Sequence, residues 1–507
     1  MKKLVIVFFA TALALLLIAP VVNTVIAIST PQTTFKYWRK NLYNLDFAPQ
    51  ALAKQLYPLG ISTDPEKVVV GNQGWLYLGD SYAKSITTKR AGYNPADEAA
   101  LQGIADNIAS WNTWFSEHGV KAFRVVIGTD KGSVYPEHLP AWAAHATPSA
   151  MDVLVSKSNP DLVIYPKAAL IAANSRFPTA LYYKTDTHWN VIGGAIAFNG
   201  LVASMAAAAP ALSWPAQVTA DDLIISDKAG GDLAAFLRIK NSLHDSEVEL
   251  HRYANTPLPV EQQEFFTGKA IDSQGSTDVL GLTTATLVSS PAALNDKRVL
   301  WLRDSYGTAM ATLMAATFRE TLQLHHNRAS QQMLTELIDK FNPEYVIITH
   351  VERDVRGGFL TLRPVFEVSH SRDGFSAVST AVAPQPHHLK ATATPDQFAV
   401  DGIDPFVVFD LDRPTPTANV SRLMLELSCD SNQEQIPVQL YWHSEQSVFS
   451  EANSITVIAR NGLNSLSLLA NPAWANDAAV TQIRLDLADP AKCSNVAFRN
   501  VQLGIVH

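Results

Sequence analysis

Two short segments contain the three residue types that nucleophilic acyl transfer needs. Asp186 and His188 lie two residues apart within residues 183–190, and Ser305 follows an apolar run at residues 299–302. A serine attacks an acyl carbonyl when an imidazole takes its proton and a carboxylate orients that imidazole and stabilises its protonated form. The residue types therefore predict an acyl-transfer or ester-cleaving enzyme, provided that the fold joins Ser305 to His188 and Asp186.

Each of these residues also has a structural interpretation. Asp, Ser and Asn are frequent helix N-caps, and Asn190 directly precedes a helix predicted from Val191. The position of Ser305 favours the nucleophile, because it lies between a predicted buried strand and a predicted helix. Backbone N–H groups in such a turn can stabilise an oxyanion.

The elements that must position these residues follow from the hydrophobic pattern. Between residues 66 and 362, helical stripes alternate with short β-branched runs, which predicts an α/β domain with a mainly parallel sheet flanked by helices. Sites in such sheets form at the carboxyl ends of strands, where Ser305 would lie. The predicted strands span residues 122–127, 162–165, 298–302 and 345–350. The predicted helices span residues 95–118, 167–174, 191–208, 307–319 and 333–341.

Four further residues are candidates for substrate or oxyanion contacts. Tyr306 follows the serine, and its hydroxyl could approach the oxyanion, although an aromatic residue there is as often a pocket wall. Asn190 follows the Asp-Thr-His segment, and Lys131 follows a predicted strand end, where it either reaches the pocket or lies on a solvated turn. Arg353 either steers an anionic substrate or pairs with an adjacent acidic residue.

The amino terminus predicts export. An apolar stretch from Leu4 to Ile28 follows two lysines, and no charge falls between Lys3 and Lys36. This length crosses a bilayer, and the leading lysines favour a cytoplasmic amino end. Residues 1–30 are thus predicted to be a signal anchor in the inner membrane, residues 31–65 a stalk, and the remainder periplasmic. The alternative is a signal peptide that is cleaved near residues 25–27 to leave a soluble periplasmic protein.

The last third of the chain has a different pattern. Short alternating and apolar runs predict a β-sandwich over residues 375–507, with residues 383–391 as the expected linker. Tyr441 and Trp442 either stack on sugar rings or pack in the core of the sandwich. Cys429 and Cys493 are the only cysteines, and they either pair in an oxidising compartment or stay as buried thiols.

Composition argues against nucleic-acid binding and against a zinc site. The 507 residues are 47% hydrophobic and 17% charged, which is typical of a globular protein of more than one domain. A net charge of −8 supplies no basic excess for nucleic acid, so no such partner is expected. Two cysteines without nearby histidines are too few ligands for zinc, and neither a metal nor another cofactor is predicted.

Several motifs together resemble one known family, the alginate O-acetylation proteins. These are exported, SGNH-hydrolase-like acetyltransferases of bacterial exopolysaccharide biosynthesis, and the resemblance covers about residues 66–356. The Asp-x-His-Trp-Asn element is its specific part. The motifs are Gly71…Gly74-Trp75-Leu76-Tyr77, Tyr135-Pro136-Glu137…Leu139-Pro140, Lys184–Asn190, Gly231–Ala234 and Asp304–Tyr306.

This resemblance implies that Asp186, His188 and Ser305 form a triad, in the reversed chain order that distinguishes the family from ordinary SGNH hydrolases. It also implies transfer of acetyl groups to hydroxyls of alginate or a similar polysaccharide. The acetyl source would be a membrane-bound O-acyltransferase, and other exopolysaccharide secretion proteins would be partners. The β-sandwich looks like a carbohydrate-binding module. One departure is Arg303, which stands where the family usually has a small residue before Asp-Ser.

The residues leave two other functions open. The same triad with water as the acceptor would be a polysaccharide acetylesterase, and sequence does not distinguish it from a transferase. A non-catalytic, glycan-binding scaffold of a secretion complex is the third alternative. It would be favoured if Ser305 and His188 lay beyond hydrogen-bond reach of each other.

Overall fold

A computed structural model describes residues 2–29, 34–45, 47–394, 396–430, 435–475, 477–489, 491 and 493–506. Residues 30–33 and 46, which belong to the predicted anchor and stalk, lie outside the described residues. The helices are α1 Lys2–Ser29, α2 Phe35–Asn41, α3 Phe47–Leu56, α4 Ser85–Ala91, α5 Glu98–Glu117, α6 Lys131–Val134, α7 Ala150–Lys157, α8 Lys167–Ala173, α9 Val191–Ala208, α10 Asp232–Phe236, α11 His251–Asn255, α12 Ala311–Thr317, α13 Gln331–Phe341 and α14 Pro472–Ala475.

The strands divide between an amino-terminal and a carboxyl-terminal group. The first group is β1 Val68–Val70, β2 Leu76–Leu78, β3 Ala122–Gly128, β4 Val163–Ile164, β5 Leu223–Ala229, β6 His244–Leu250, β7 Glu261–Glu264, β8 Ala270–Ile271, β9 Thr286–Ser289, β10 Asn295–Arg303, β11 Phe318–Leu324 and β12 Tyr345–Val351. The second group is β13 Phe375–His387, β14 Leu389–Ala391, β15 Phe398–Val400, β16 Phe406–Pro416, β17 Arg422–Cys429, β18 Ile436–Ser444, β19 Ser454–Ala459, β20 Gly462–Ser467, β21 Ala479–Leu487 and β22 Asn495–Val506.

The amino-terminal helix α1 has the length and composition of a membrane span. Its apolar side chains are mostly exposed, as expected for a helix whose partner is lipid. The apolar helix predicted at the amino terminus is therefore confirmed. Helix α9 is also long and apolar enough to span a membrane, but its residues Ile192, Phe198 and Leu201 are buried in the protein core. We interpret α9 as a core helix.

The central sheet has the order β4-β3-β12-β10-β11-β9-β7-β8. The first five strands are parallel, and four of them (β4, β3, β12 and β10) were predicted, but β9, β7 and β8 extend the sheet in antiparallel fashion. One sequence interpretation was wrong: the helix expected to run to residue 319 ends at Thr317, and strand β11 begins at Phe318. The sheet is thus mixed, and its central parallel strands end at the edge that contains Ser305.

Helices cover both faces of this sheet. Successive strand residues point to opposite faces, so each central strand contributes to two separate cores. Helix α9 packs on one face, and helices α5 and α13 pack on the other. The strand residues on the α9 face are Val126, Trp301 and Ile347, and those on the α5 face are Val125, Leu300 and Ile348.

The carboxyl-terminal strands form a separate β-rich region with its own core. The chain of paired strands runs β14-β15-β22-β13-β16-β21-β18-β19, and β17 joins β22 to β20. The expected linker at residues 383–391 was wrong, because these residues lie in β13 and β14. A shift in register between Val382 and Gln385 lets Pro384 interrupt the ladder without ending the strand. The region also contacts α5, where Glu117 accepts a hydrogen bond from Ser467 and pairs with Arg422.

Cys429 and Cys493 form a disulfide that joins the end of β17 to the segment before β22. The bond closes a loop with a sequence separation of 64 residues. We expect replacement of both cysteines by serine to lower the free energy of unfolding of this region by about 4 kcal/mol, since a loop of this length gains that much chain entropy in the denatured state. Denaturant titration of oxidised wild type and the double variant measures the difference. Equal stabilities would contradict the prediction.

Candidate active site

Ser305 lies on a turn that the side chain of Asp304 holds in place through hydrogen bonds. Strand β10 ends at Arg303, and Ser305 begins a 3₁₀ turn that leads into α12. Asp304 caps the turn, because its Oδ1 accepts from the Tyr306 N–H at 2.9 Å. Its Oδ2 accepts from the Val351 N–H at 2.6 Å, which ties the turn to the end of β12. The Ser305 side chain is left exposed to solvent.

The structure brings the three residues of the predicted triad together. His188 Nε2 lies 2.8 Å from Ser305 Oγ, and His188 Nδ1 lies 2.7 Å from Asp186 Oδ1. The second carboxylate oxygen of Asp186 accepts from the backbone N–H of Asp232 at 2.9 Å. His188 and Ser305 are 117 positions apart in the sequence, and packing of the Asp-Thr-His segment against the Ser305 turn brings them together.

This arrangement fixes the state of the imidazole. Burial by itself raises the pKa of Asp186, but hydrogen bonds from His188 and from the Asp232 N–H outweigh it and hold this pKa well below its usual value. An ionised Asp186 accepts the Nδ1–H of His188, so Nε2 carries the lone pair that faces Ser305. The geometry is that of a base ready to take the proton from the Ser305 hydroxyl.

The Ser305 N–H is placed to stabilise an oxyanion. It is the first N–H of the 3₁₀ turn, and it donates no hydrogen bond to any acceptor among the described residues. Backbone N–H groups at the start of a helical turn carry partial positive charge. An acyl oxygen that approaches Ser305 would meet this free donor.

A second layer of residues supports the Asp-Thr-His segment. The carboxylate of Asp232 accepts from the N–H and the hydroxyl of Thr187, at 2.7 and 2.8 Å. Asp245, on β6, accepts from the N–H and the hydroxyl of Thr185, at 2.7 Å each. A Cβ at Gly231 would lie 2.4 Å from Asp186 Oδ2, so only glycine permits this approach. Sequence reasoning noted residues 231–234 but assigned them no role; the Gly-Gly-Asp run at 230–232 was the available signal.

Tyr306 and Asn190 do not have the predicted substrate or oxyanion roles. The Tyr306 hydroxyl is buried and donates to the carbonyl of Thr187 at 3.0 Å, while its ring packs 5.3 Å from that of His188. Asn190 caps α9, with its Oδ1 accepting from Ile192 N–H at 3.0 Å. Its amide donates to Ala180 O at 2.7 Å, and both hydrogen-bonding groups of the side chain are therefore occupied.

Lys131 is buried and the Arg353 side chain is only 12% exposed, contrary to their predicted exposure to substrate or solvent. Arg353 Nη1 lies 2.6 Å from Asp130 Oδ1 and its guanidinium packs over the ring of Tyr306. Lys89 completes this cluster with contacts to Asp130 at 2.7 Å and to Glu352 at 3.0 Å. Arg353 therefore packs beneath Tyr306, where it is paired with Asp130. The Lys131 ammonium donates to backbone carbonyls of the Asp-Thr-His segment.

Arg303 points away from the oxyanion and into the protein. Its side chain is 0% exposed, and Nε donates to Gln323 Oε1 at 2.8 Å. Nη2 lies 2.5 Å from Asp278 Oδ1, and Nη1 donates to the carbonyl of Asp304 at 3.1 Å. A Cβ at residue 307 would lie 2.4 Å from Arg303 Cδ, so Gly307 makes room for the arginine. The residue that departs from the family pattern is thus a brace beneath the nucleophile turn.

We expect Arg303→Met to lower the free energy of unfolding by about 3–5 kcal/mol, because it leaves the Asp278 carboxylate and several buried acceptors without a partner. Denaturant unfolding of the full chain measures this change. The control is Arg319→Met on the adjacent strand, whose side chain is 53% exposed and pairs loosely with Asp296. We expect the control to change stability by less than about 1 kcal/mol. Similar losses in the two variants would contradict a specific bracing role.

Among the residues that the structure describes, two groups of side chains contain donors that suit a metal ion. In the first, Asp186, His188 and Asp232, both imidazole nitrogens of His188 are already engaged by Asp186 and Ser305. In the second, Asp304, His326 and His350, the two imidazoles stack with centroids 4.0 Å apart and planes at 14°. Stacked rings cannot both direct an in-plane lone pair to one ion, so neither geometry favours a bound metal.

The two aromatic candidates in the β-rich region lie on opposite faces of β18. Trp442 is 0% exposed, packs against Trp474 and donates to Asp477, and it therefore cannot stack on a sugar. Tyr441 points away from the core of the region but is only 8% exposed, and its hydroxyl donates to Glu451 at 2.7 Å. The guanidinium of Arg484 lies 5.0 Å from its ring. Sequence alternation alone could not decide which residue of this pair faced the core.

Comparison with known proteins matches this site region to a family. Residues 68–272 match the model described as "SGNH hydrolase-like domain, acetyltransferase AlgX", and residues 50–81 match a strictosidine synthase-like amino-terminal model. A "Probable alginate O-acetylase AlgJ" of Pseudomonas syringae pv. tomato is 28% identical over 205 residues, which cover 38% of this chain. The match covers 48% of that relative, so the chain spans about half of its length.

The matches among solved structures are more distant in sequence. Bacillus cereus PatB1 is 14% identical, with a TM-score of 0.42, and the match covers 58% of this chain and 98% of that one. The O-acetyltransferase domain of Pseudomonas putida AlgJ is 16% identical, with a TM-score of 0.35, covering 57% and 92%. With the family match, the resemblance to the alginate O-acetylation proteins is confirmed. Asp186 and His188 lie inside the matched segment, and Ser305 lies beyond its end.

Proposed function

We propose, from this resemblance and from the geometry of the site, that the chain is an O-acetyltransferase that acts through an acetyl-Ser305 intermediate. The acceptors are hydroxyl groups of an exported polysaccharide, alginate or a similar polymer. The observation that carries the proposal is the continuous hydrogen-bond chain from Asp186 through His188 to the exposed Ser305. A scaffold protein has no need of this arrangement, which leaves a serine hydroxyl aligned with a base at 2.8 Å.

In the first half of the reaction, His188 Nε2 takes the proton of Ser305 as Oγ attacks the acetyl carbonyl of the donor. Asp186 stabilises the imidazolium, and the Ser305 N–H is available to the oxyanion. When the tetrahedral intermediate collapses, the bond to the donor breaks and His188 returns the proton to the leaving group. In the second half, a sugar hydroxyl gives its proton to His188, attacks the acetyl carbonyl and displaces Ser305, which recovers a proton from the imidazolium.

The setting that we propose is the periplasmic side of the inner membrane. Helix α1 would hold the chain at the membrane, either as a permanent anchor or until its cleavage. The disulfide between Cys429 and Cys493 fits an oxidising compartment. A membrane-bound O-acyltransferase would supply the acetyl group, and other proteins of exopolysaccharide secretion would bring the polymer.

The β-rich region is a candidate for holding that polymer. Along β16, β21 and β18, alternate residues point away from the core and form a polar outer face with aromatic rings. Arg484 lies 3.6 Å from the ring centroid of Phe406 on this face and pairs with Asp486. Aromatic, amide and charged groups on a sheet face are the groups that bind sugars, so we propose this face as a carbohydrate-binding surface. Tyr441 belongs to it with only 8% of its surface exposed.

Exposure of Ser305 favours one alternative, an acetylesterase that uses water as the acceptor. The deciding experiment incubates the full chain with an activated acetyl ester and polymannuronate or other oligosaccharides, followed by mass spectrometry of sugar and of free acetate. Acetylated sugar that disappears with Ser305→Ala supports the transferase. Acetate release without acetylated sugar identifies the esterase, and neither product would favour the glycan-binding scaffold.

A further inference from the structure

The Asp-Thr-His segment turns three backbone carbonyls toward one side chain. Lys131 Nζ donates to the carbonyls of Tyr183 and Lys184 at 3.0 Å each, and to the carbonyl of Asp186 at 2.6 Å. An ammonium group has three N–H donors, so these bonds use its full capacity. The third carbonyl belongs to the residue that orients His188.

The Lys131 side chain is buried beside two aromatic rings. The side chain is 4% exposed and begins α6, at the carboxyl end of β3. The faces of Trp75 and Tyr77 lie 5.6 and 5.4 Å from Nζ, within the range of cation–π attraction. Burial lowers the pKa of Lys131 to about 7, although the carboxylates of Asp186, Asp245 and Asp232 act to raise it. A water molecule in place of the ammonium would have one donor too few for three carbonyls.

The ammonium holds the segment from the side opposite to its other restraints. Asp245 and Asp232 accept from N–H and hydroxyl groups of the segment, whereas its inward carbonyls converge on Lys131. Converging carbonyl dipoles repel one another unless a cation lies among them, as in ion-selective filters. The Lys184 carbonyl also accepts from the Leu76 N–H at 2.8 Å. Loss of the ammonium would leave the other two carbonyls, those of Tyr183 and Asp186, without a donor among the described residues, at a desolvation cost. Without the ammonium, we expect the segment to relax and the Asp186 carboxylate to move.

We propose that Lys131 is a positioning residue whose ammonium takes the place of a monovalent cation among the carbonyls of residues 183, 184 and 186, and so holds Asp186 and His188 in line with Ser305. This inference rests on the proposed function, because it assigns Lys131 to the support of the same triad. If it is correct, the cavity left by removal of the lysine side chain should bind a small ammonium ion.

The test measures activation of the serine directly, without a polysaccharide. Phenylmethanesulfonyl fluoride reacts with an activated serine: Oγ bonds to sulfur, fluoride leaves, and His188 takes the hydroxyl proton. The rate of Ser305 sulfonylation is followed by mass spectrometry of the full chain in detergent, for wild type, Lys131→Ala and Lys131→Gln. The control is Lys228→Met, because Lys228 contacts the same segment through the ring of Tyr183 and not through its carbonyls.

We expect Lys131→Ala to be sulfonylated about 10²-fold more slowly than wild type, the usual effect of a displacement of about 1 Å at a catalytic group. Ammonium or methylammonium chloride should raise the sulfonylation rate of Lys131→Ala about tenfold. Tetramethylammonium chloride, whose cation has no N–H donor, should not raise it. Lys131→Gln, with two donors, should lie between wild type and Lys131→Ala. Lys228→Met should react within about threefold of wild type, since no carbonyl loses a donor.

Three results would overturn the inference. Lys131→Ala could react as fast as wild type, it could be equally slow in ammonium and tetramethylammonium, or Lys228→Met could lose as much as Lys131→Ala. If the alanine variant fails to fold, Lys131→Gln decides, and a folded Lys131→Gln that reacts at the wild-type rate counts against the inference. A wild-type chain that shows no sulfonylation at Ser305 would instead count against the proposed function.

Discussion

Replacement of Ser305 by alanine, of His188 by alanine, or of both together is expected to give the same loss of acetyl transfer, about 10⁴-fold or more. The two side chains act as one unit across a 2.8 Å hydrogen bond, so removal of either partner disables the nucleophile. The second replacement then has nothing further to remove. Initial rates of acetyl release from an activated ester, measured for the two single variants and the double variant, give the comparison.

The control for this cycle is another histidine that pairs with an aspartate. His244 Nδ1 lies 2.8 Å from Asp227 Oδ2 on the β5–β6 hairpin, with its side chain 70% exposed. His244→Ala should keep the wild-type rate, because no nucleophile lies beside that imidazole. If the losses of Ser305→Ala and His188→Ala multiply in the double variant, the two residues act separately and the triad assignment is wrong.

Asp186→Asn is expected to lower kcat by about 10⁴-fold while the fold is retained. An asparagine amide can donate to His188 Nδ1, which favours the tautomer that carries its proton on Nε2. That tautomer turns an N–H toward Ser305 and cannot accept the hydroxyl proton. The measurement is kcat at neutral pH together with circular dichroism and the melting temperature.

The matched control is Asp227→Asn, which changes the exposed Asp–His pair in the same way. It should change kcat by less than about twofold. A loss of less than tenfold in Asp186→Asn would mean that the carboxylate does not set the imidazole tautomer. A large fall in melting temperature would assign the loss to structure, since Asp186 also accepts the backbone N–H of Asp232.

Local patterns predicted the parallel strands and the position of Ser305 well. The central strands contain short apolar runs, and the end of β10 places Ser305 at the carboxyl edge of the sheet. Strand β11 was missed because Ala311–Thr317 is rich in helix formers and the pattern gives no clear end to the helix. Its identity as a strand comes from pairing with β10 and β9, and such pairing is not a local property.

The supporting residues of the site were harder to predict than the triad. Arg303 is next to Asp304 in sequence, yet its partners Asp278 and Gln323 lie about twenty residues away on either side. Lys131 is 55 residues from Asp186, and nothing in its own surroundings in the sequence indicates that its ammonium meets three carbonyls. Residue type suggested that Lys131 either reaches the pocket or lies on a solvated turn, and for Arg303 it indicated only a departure from the family pattern. Burial and hydrogen bonding turn both side chains inward.

The exposed position of Ser305 affects how many acetyl groups would be lost to hydrolysis in the proposed reaction. An acetyl group on this oxygen would be open to bulk water, so in the proposed reaction hydrolysis would compete with transfer at every turnover. The yield of modified sugar would then depend on how often a hydroxyl of the polymer reached the acyl group before water did. A β-rich region that retains the polymer would raise the local concentration of hydroxyls many-fold through tethering alone. Fidelity would thus come from retention of the acceptor, with the nucleophile left uncovered.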